Sequence, residues 1–247
     1  MLNVEHLFKK FGALKAVDGV SFKVENGEIF CIIGPNGAGK TTMIKSIVGL
    51  LRPDGGIILV NGKNVVASPQ ETKSMTGYIP DEPTVWPGMT GEEFLHLIGT
   101  LFGVSERDRI ERVKNLLGIF NLNGIEKGYF ETYSRGNKQK FSILAALLHK
   151  PKLLLVDEPI VGLDPLSARQ AKDLFIRYAK EEGASILIVT HTLSFAEEVA
   201  HRIGIMSDSK LIAIGTMEEL RHTARLGTDA SLEEVYLAIT GSSFLKE

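Results

Sequence analysis

The stretch Gly34-Pro35-Asn36-Gly37-Ala38-Gly39-Lys40-Thr41-Thr42 fits the spacing G-x-x-x-x-G-K-[ST], and no other feature constrains the fold of this chain as strongly. It lies between the apolar run Ile29–Ile33 and a segment in which Met43, Ile44, Ile47, Val48 and Leu51 recur at helical spacing. Arg52-Pro53-Asp54-Gly55-Gly56 ends that segment. A strand, a glycine-rich loop and a helix in this order aim successive backbone N–H groups at one point, and the helix N-terminus adds its dipole. A nucleoside triphosphate is expected there, cradled by Asn36, Gly37 and Gly39. Lys40 is expected to reach the β- and γ-phosphates, Thr41 to offer a hydroxyl to Mg²⁺, and Thr42 to bond a more proximal phosphate. A glycine-rich turn with a solvated lysine would need neither flank.

Two further apolar runs, Leu153–Val156 and Ile186–Val189, also lack the polar alternation of a one-sided sheet. Ser167–Glu182, closed by Gly183, and Leu193–Ala200 read as helices. Strands alternating with helices predict an α/β fold, a mostly parallel sheet covered by helices on both faces. Two departures are expected. Alternating patterns in VSFKV and GIILVNGKNV predict an N-terminal antiparallel β subdomain, and helical periodicity over about 91–150 predicts an inserted helical subdomain.

The second apolar run leads into Asp157-Glu158-Pro159, placing two carboxylates at the carboxyl end of a strand, the edge where parallel sheets gather ligands. Asp157 is suited to holding Mg²⁺ through water, and Glu158, one step farther, to orienting or deprotonating an attacking water. His191 follows the third run and falls on the same edge. Its expected role is a hydrogen bond to the γ-phosphate or to the attacking water. The other five histidines, His6, His96, His149, His201 and His222, lack metal-ligand spacing and read as structural or solvated.

Composition narrows the setting. With 28 basic and 30 acidic residues the net charge is −2, which predicts no strong pull on nucleic acid. Cys31 is the sole cysteine, so neither an intrachain disulfide nor a thiolate-rich metal site can form, and it reads as a small buried hydrophobe. The first residues lack the layout of a secretory signal, and no apolar run approaches the ~20 residues of a membrane span. The chain is therefore expected to be soluble and cytoplasmic, needing a partner for any work at a membrane.

Tyr133-Ser134-Arg135-Gly136-Asn137-Lys138-Gln139-Lys140 resembles the LSGGQ signature of ABC ATPases, and with it the motifs fall into that family's order. The resemblance covers essentially residues 1–220. It implies a P-loop NTPase fold, with a short helical tail over 221–247, where Ser231–Leu237 has a capping-box start. It is closest to the ATPase subunits of export-type bacterial ABC transporters, which bind ATP and Mg²⁺ on the inner face of the cell membrane. Their permease is a separate transmembrane subunit. A non-transport ABC ATPase and a nucleotide-gated regulatory module are the alternatives.

The resemblance further implies a head-to-tail pair with a second ABC ATPase subunit, homomeric or heteromeric. Ser134 and Gly136 would then meet the γ-phosphate held by the other subunit, through the dipole of a helix whose periodicity runs from Lys138 to His149. Val161–Asp164 is similar to the segment that crosses the interface, and Phe11 to the aromatic that stacks on adenine. The chain also departs from the family pattern. Arg135 replaces a signature glycine, so its side chain either points away from nucleotide or adds a charge. Asp81 stands where the family has a metal-sensing glutamine, and it either approaches the metal or is solvated beside Glu82.

Overall fold

A computed structural model describes residues 1–244. The chain runs through β1 (Leu2–Phe11), β2 (Leu14–Val24), β3 (Ile29–Ile33), α1 (Lys40–Ile47), β4 (Gly55–Val60), β5 (Lys63–Asn64), α2 (Pro69–Ser74) and β6 (Thr76–Ile79). Three helices follow, α3 (Gly91–Leu101), α4 (Glu106–Ile119) and α5 (Arg135–Leu147). Alternation then resumes with β7 (Leu153–Asp157), α6 (Pro165–Glu182), β8 (Ser185–Thr190), α7 (Leu193–Val199), β9 (Arg202–Ser207) and β10 (Lys210–Gly215). Helices α8 (Met217–Ala224) and α9 (Leu232–Phe244) complete the described chain.

The strands form two sheets. The smaller, ordered β2-β1-β4-β5, is antiparallel and fulfils the expectation drawn from the N-terminal alternation. The larger is ordered β10-β9-β3-β8-β7-β6. Its pairs are parallel except β10 with β9, so the sheet is mostly parallel, as expected.

Each of β3, β7 and β8 is buried along its whole length, which explains its unbroken apolar run. Successive side chains point to opposite faces. Phe30 and Ile32 of β3 pack with Met43 and Ile44 of α1 and with the antiparallel sheet. Ile29, Cys31 and Ile33 pack with the helices of the other face. Burial pushes the Cys31 thiol up, which keeps it protonated and inert.

Three strands of the larger sheet were not expected. The short β6 has four residues, the apolar run of β9 is broken by Gly204, and edge strand β10 alternates exposed with half-buried positions. None of them shows the long apolar run that announces a central strand. Between Gly91 and Lys150 the named elements are helical, with two short 3₁₀ turns at Ile125–Lys127 and Phe130–Thr132. Helix α5 starts at Arg135, earlier than its apolar periodicity indicates, because Ser134 caps it by accepting from the Asn137 N–H (3.2 Å). At the far end, the capping box at Ser231 forms with Glu234, and Leu232 and Val235 bury into the main core. Of the tail expected over 221–247, residues 245–247 lie outside the described chain.

Helix α5 packs within the helical segment through Phe141. This fully buried ring lies 5.5 Å from Phe130 and 5.3 Å from Tyr133. Truncating it removes both ring contacts and leaves a cavity beneath the signature segment. Phe141→Ala is expected to cost about 3–5 kcal/mol, read as a lowered urea midpoint.

Candidate functional site

The loop between β3 and α1 opens into a cavity of about 460 Å³. Gly39 forms the helix N-cap with φ +97°, and a Cβ there would stand 2.0 Å from the carbonyl oxygen of Ala16. Only glycine permits that close approach. No side chain caps α1, so the N–H groups of its first turn stay available to an anion.

Lys40 is buried, and its Nζ donates to the carbonyl oxygens of Gly34 (2.7 Å) and Pro35 (3.0 Å). Burial lowers its pKa, and the nearby Glu158 and Asp157 carboxylates oppose that shift. Asn36, Gly37, Gly39, Thr41 and Thr42 complete this wall. Phe11, at the end of β1, lines the same cavity and is half exposed, with Lys9 Nζ 5.4 Å from its ring.

Asp157 and Glu158 approach from β7. The Asp157 carboxyl is almost fully buried. Thr41 donates to its Oδ1 (3.4 Å), while Oδ2 has no hydrogen-bond partner among the described residues. Burial pushes its pKa up to about 6. The Thr41 bond opposes the shift, and the Glu158 and Asp81 charges add to it. A buried carboxylate with an orphaned oxygen beside a threonine hydroxyl fits a hard divalent cation. Mg²⁺ characteristically takes one or two protein oxygens and completes its shell with phosphate and water.

Glu158 has φ +48°, an uncommon backbone conformation for a residue other than glycine. Its N–H donates to the Val189 carbonyl (3.0 Å). Its side chain is held at both oxygens. Oε2 accepts from the Thr190 hydroxyl (2.8 Å), and Oε1 accepts from the His191 backbone N–H (2.9 Å) and lies 2.7 Å from His191 Nδ1. His191 lines the cavity with its ring half exposed. With Nδ1–H donating to the carboxylate, Nε2 accepts in the neutral ring and donates in the charged one. Sequence reasoning placed Glu158 and His191 on one edge but missed both their direct pairing and the Thr190 contact.

Asp81 and Arg135, the two departures from the family pattern, meet each other. Both line the cavity, and Arg135 Nη2 lies 3.7 Å from Asp81 Oδ1. Asp81 is thus half exposed and paired, and Arg135 brings a charge to the cavity wall. Such a half-exposed pair is weak and easily exchanged. Ser134 and Gly136 lie outside the residues that line this cavity. The Ser134 hydroxyl caps its own helix, and a Cβ on Gly136 would stand 2.8 Å from the Gly162 carbonyl oxygen.

A glycine loop at a helix N-terminus, a buried lysine and paired strand-end carboxylates define a P-loop ATPase. The ABC transporter family model matches residues 17–161, more than half of the chain, and the protein belongs to that family as an ATP-binding, ATP-hydrolysing member. It is 36% identical over 233 residues to the linearmycin resistance ATP-binding protein LnrL of Bacillus subtilis (strain 168), covering 94% of this chain and 74% of that one. A solved ATP-binding subunit of an ABC transporter superposes with TM-score 0.92 at 35% identity, over 97% of this chain and 99% of that one. The MJ0796 cassette, solved as a post-hydrolysis dimer bound to ADP and Pi, matches with TM-score 0.80 at 22% identity, over 88% and 99% of the two chains. At that identity the likeness shows the fold alone.

The segment after Glu158 ends at Asp164, the N-cap of α6. Its carboxylate accepts from both the side chain and the backbone N–H of Ser167. Those bonds, with Lys140 adding a smaller share, hold its pKa down to about 2 against an ordinary 3.8. The native state therefore favours the ionised form. The stability this contributes is complete above about pH 4 and lost as pH falls through about 2. Asp164→Ala is expected to lower the thermal midpoint at neutral pH, with the gap to wild type closing as pH approaches 2.

Proposed function

We propose that this chain is the ATPase subunit of an ABC exporter, dimerising on ATP to drive a permease carried on a separate polypeptide. One observation carries this reading. The cavity collects Lys40, Thr41, Glu158 and His191 from one chain, and of the signature helix end only Arg135 reaches it, while Ser134 and Gly136 do not line it. A second subunit placed head to tail supplies the first cavity with that helix end, and the positive end of its dipole favours the γ-phosphate. Residues 1–220 would form the cassette, with the helical subdomain over about 91–150 and the tail over 221–247. The positions of α3, α4, α5 and α9 support these divisions.

In this reading Phe11 stacks on adenine, an interaction available to any base face. The loop around Asn36, Gly37 and Gly39, the α1 N–H groups, Lys40 and Thr42 hold the phosphates. Lys40 exchanges its bonds to the loop carbonyls for phosphate oxygens. Thr41 and Asp157 hold Mg²⁺, which when bound neutralises phosphate charge and polarises the γ-phosphoryl group. Asp81 adds to the acidic side of the site once its pairing with Arg135 is exchanged. Glu158 orients the water and takes its proton as the water oxygen bonds to phosphorus and the bond to the ADP oxygen breaks. His191 holds Glu158 through Nδ1 and meets the water or the γ-phosphate through Nε2.

A permease partner is supported by an apolar groove of about 420 Å³, bordered by the exposed side chains of Leu50, Trp86 and Phe102. No helix among the described residues is long and apolar enough to cross a membrane, so a spanning pathway would come from the partner. The protein would sit peripherally on the cytoplasmic face of the cell membrane. The resistance function named for LnrL supports export as the direction.

Glu158→Gln is expected to reduce steady-state phosphate release by at least about 100-fold while leaving ATP bound. It should shift the protein to an earlier gel-filtration peak in ATP and Mg²⁺. Lys40→Ala is expected to lose ATP binding. Wild-type turnover by Glu158→Gln would refute the role given to Glu158, and low turnover by the native protein with its membranes would favour a nucleotide-gated regulatory module.

A further inference from the structure

The backbone of Glu158 and the side chain behind it point to a buried residue that is not part of the cavity lining. Strands β7 and β8 pair with Asp157 opposite Val189, so the next residue on each, Glu158 and Thr190, leave the sheet side by side. Thr190 is fully buried. Its hydroxyl accepts from the Thr192 N–H (3.0 Å) and donates to Glu158 Oε2 (2.8 Å). The backbone amide of Thr192 thus orients the hydroxyl, and the hydroxyl orients the carboxylate.

Three donors reach the carboxylate: this hydroxyl, the His191 N–H and the His191 ring. A carboxylate offers about four lone-pair directions, so one remains for water. Thr190 is the donor that holds Oε2, whereas both His191 groups act on Oε1. Without it the carboxylate can turn about its terminal torsion, which is broad and weakly preferred. The left-handed backbone of Glu158 is a local strain that the surroundings must hold, and such strain gathers at working sites.

We propose that Thr190 is a positioning residue for ATP hydrolysis, its hydroxyl fixing the Glu158 carboxylate so that the free lone pair faces the attacking water. The proposal rests on Glu158 acting on that water, as argued above. Valine replaces the hydroxyl with a methyl of nearly the same shape, so packing is retained while the hydrogen bond is lost.

The test measures ATP turnover in full-length Thr190→Val, Thr190→Ser and Glu158→Gln proteins, with ATP affinity measured separately in Mg²⁺. Thr190→Val is expected to lower kcat about tenfold or more with KM and ATP affinity within about twofold of wild type, the loss expected when a hydrogen bond to a charged group is removed. Thr190→Ser, which keeps the hydroxyl, is expected to recover most of the rate. Wild-type kcat in Thr190→Val would overturn the proposal. So would a serine variant as slow as the valine one, since the position would then matter only for packing. If the valine variant does not fold, the serine variant decides alone, with near-wild-type kcat required. Full turnover in Glu158→Gln would instead defeat the assignment of Glu158, which separates the two failures.

Discussion

The site depends on the parallel register of three buried strands. Strand β8 lies between β3 and β7, with Thr190 opposite Ile33 on one side and Val189 opposite Asp157 on the other. All three chains leave the sheet at one edge and nearly one level. The phosphate loop follows β3, the carboxylate pair ends β7, and Thr190-His191 ends β8. A shift of one residue in either pairing would turn Asp157 or Thr190 to the opposite face. The complete burial of these strands on both faces is what prevents it.

Burial at this edge sets the electrostatics. Asp157 and Glu158 are adjacent carboxylates in a poorly solvated place, an arrangement that costs free energy unless each charge is bonded or paired. Glu158 is supplied with three donors, whereas Asp157 keeps an orphaned oxygen and a raised pKa. The well-bonded carboxylate is held in one orientation, and the other keeps an unpaired oxygen among the described residues. Lys40 stands beside them, its own loss of solvation opposed only in part by both acids.

The departures from the family pattern make sense as a pair. Arg135 at the start of α5 and Asp81 in the loop after β6 meet across the cavity rim, so each replacement supplies the other's partner. A cation introduced alone near Lys40 would add repulsion, and an anion alone would crowd Asp157. Gly136 has a steric reason of its own to be glycine, since a Cβ there would stand 2.8 Å from the Gly162 carbonyl oxygen.

Much of this was legible in the linear chain because the signals are local. An unbroken apolar run needs no partner to announce a buried strand, and the spacing of Gly34 to Thr42 dictates its own loop and helix start. The same local logic placed Asp157, Glu158 and His191 at strand ends. It did not find β6, β9 or β10, whose short or alternating patterns become strands only when a neighbour supplies the hydrogen bonds. Nor could it find Thr190 as the donor to Glu158, or Arg135 as the partner of Asp81, since these residues are brought together by strand order and helix placement. The sequence by itself determined the chemistry available, a phosphate cradle with two carboxylates and a histidine. Only the tertiary structure decided which groups hold which, because hydrogen bonds and charges act over a few ångströms and those distances exist only once the sheet has assembled.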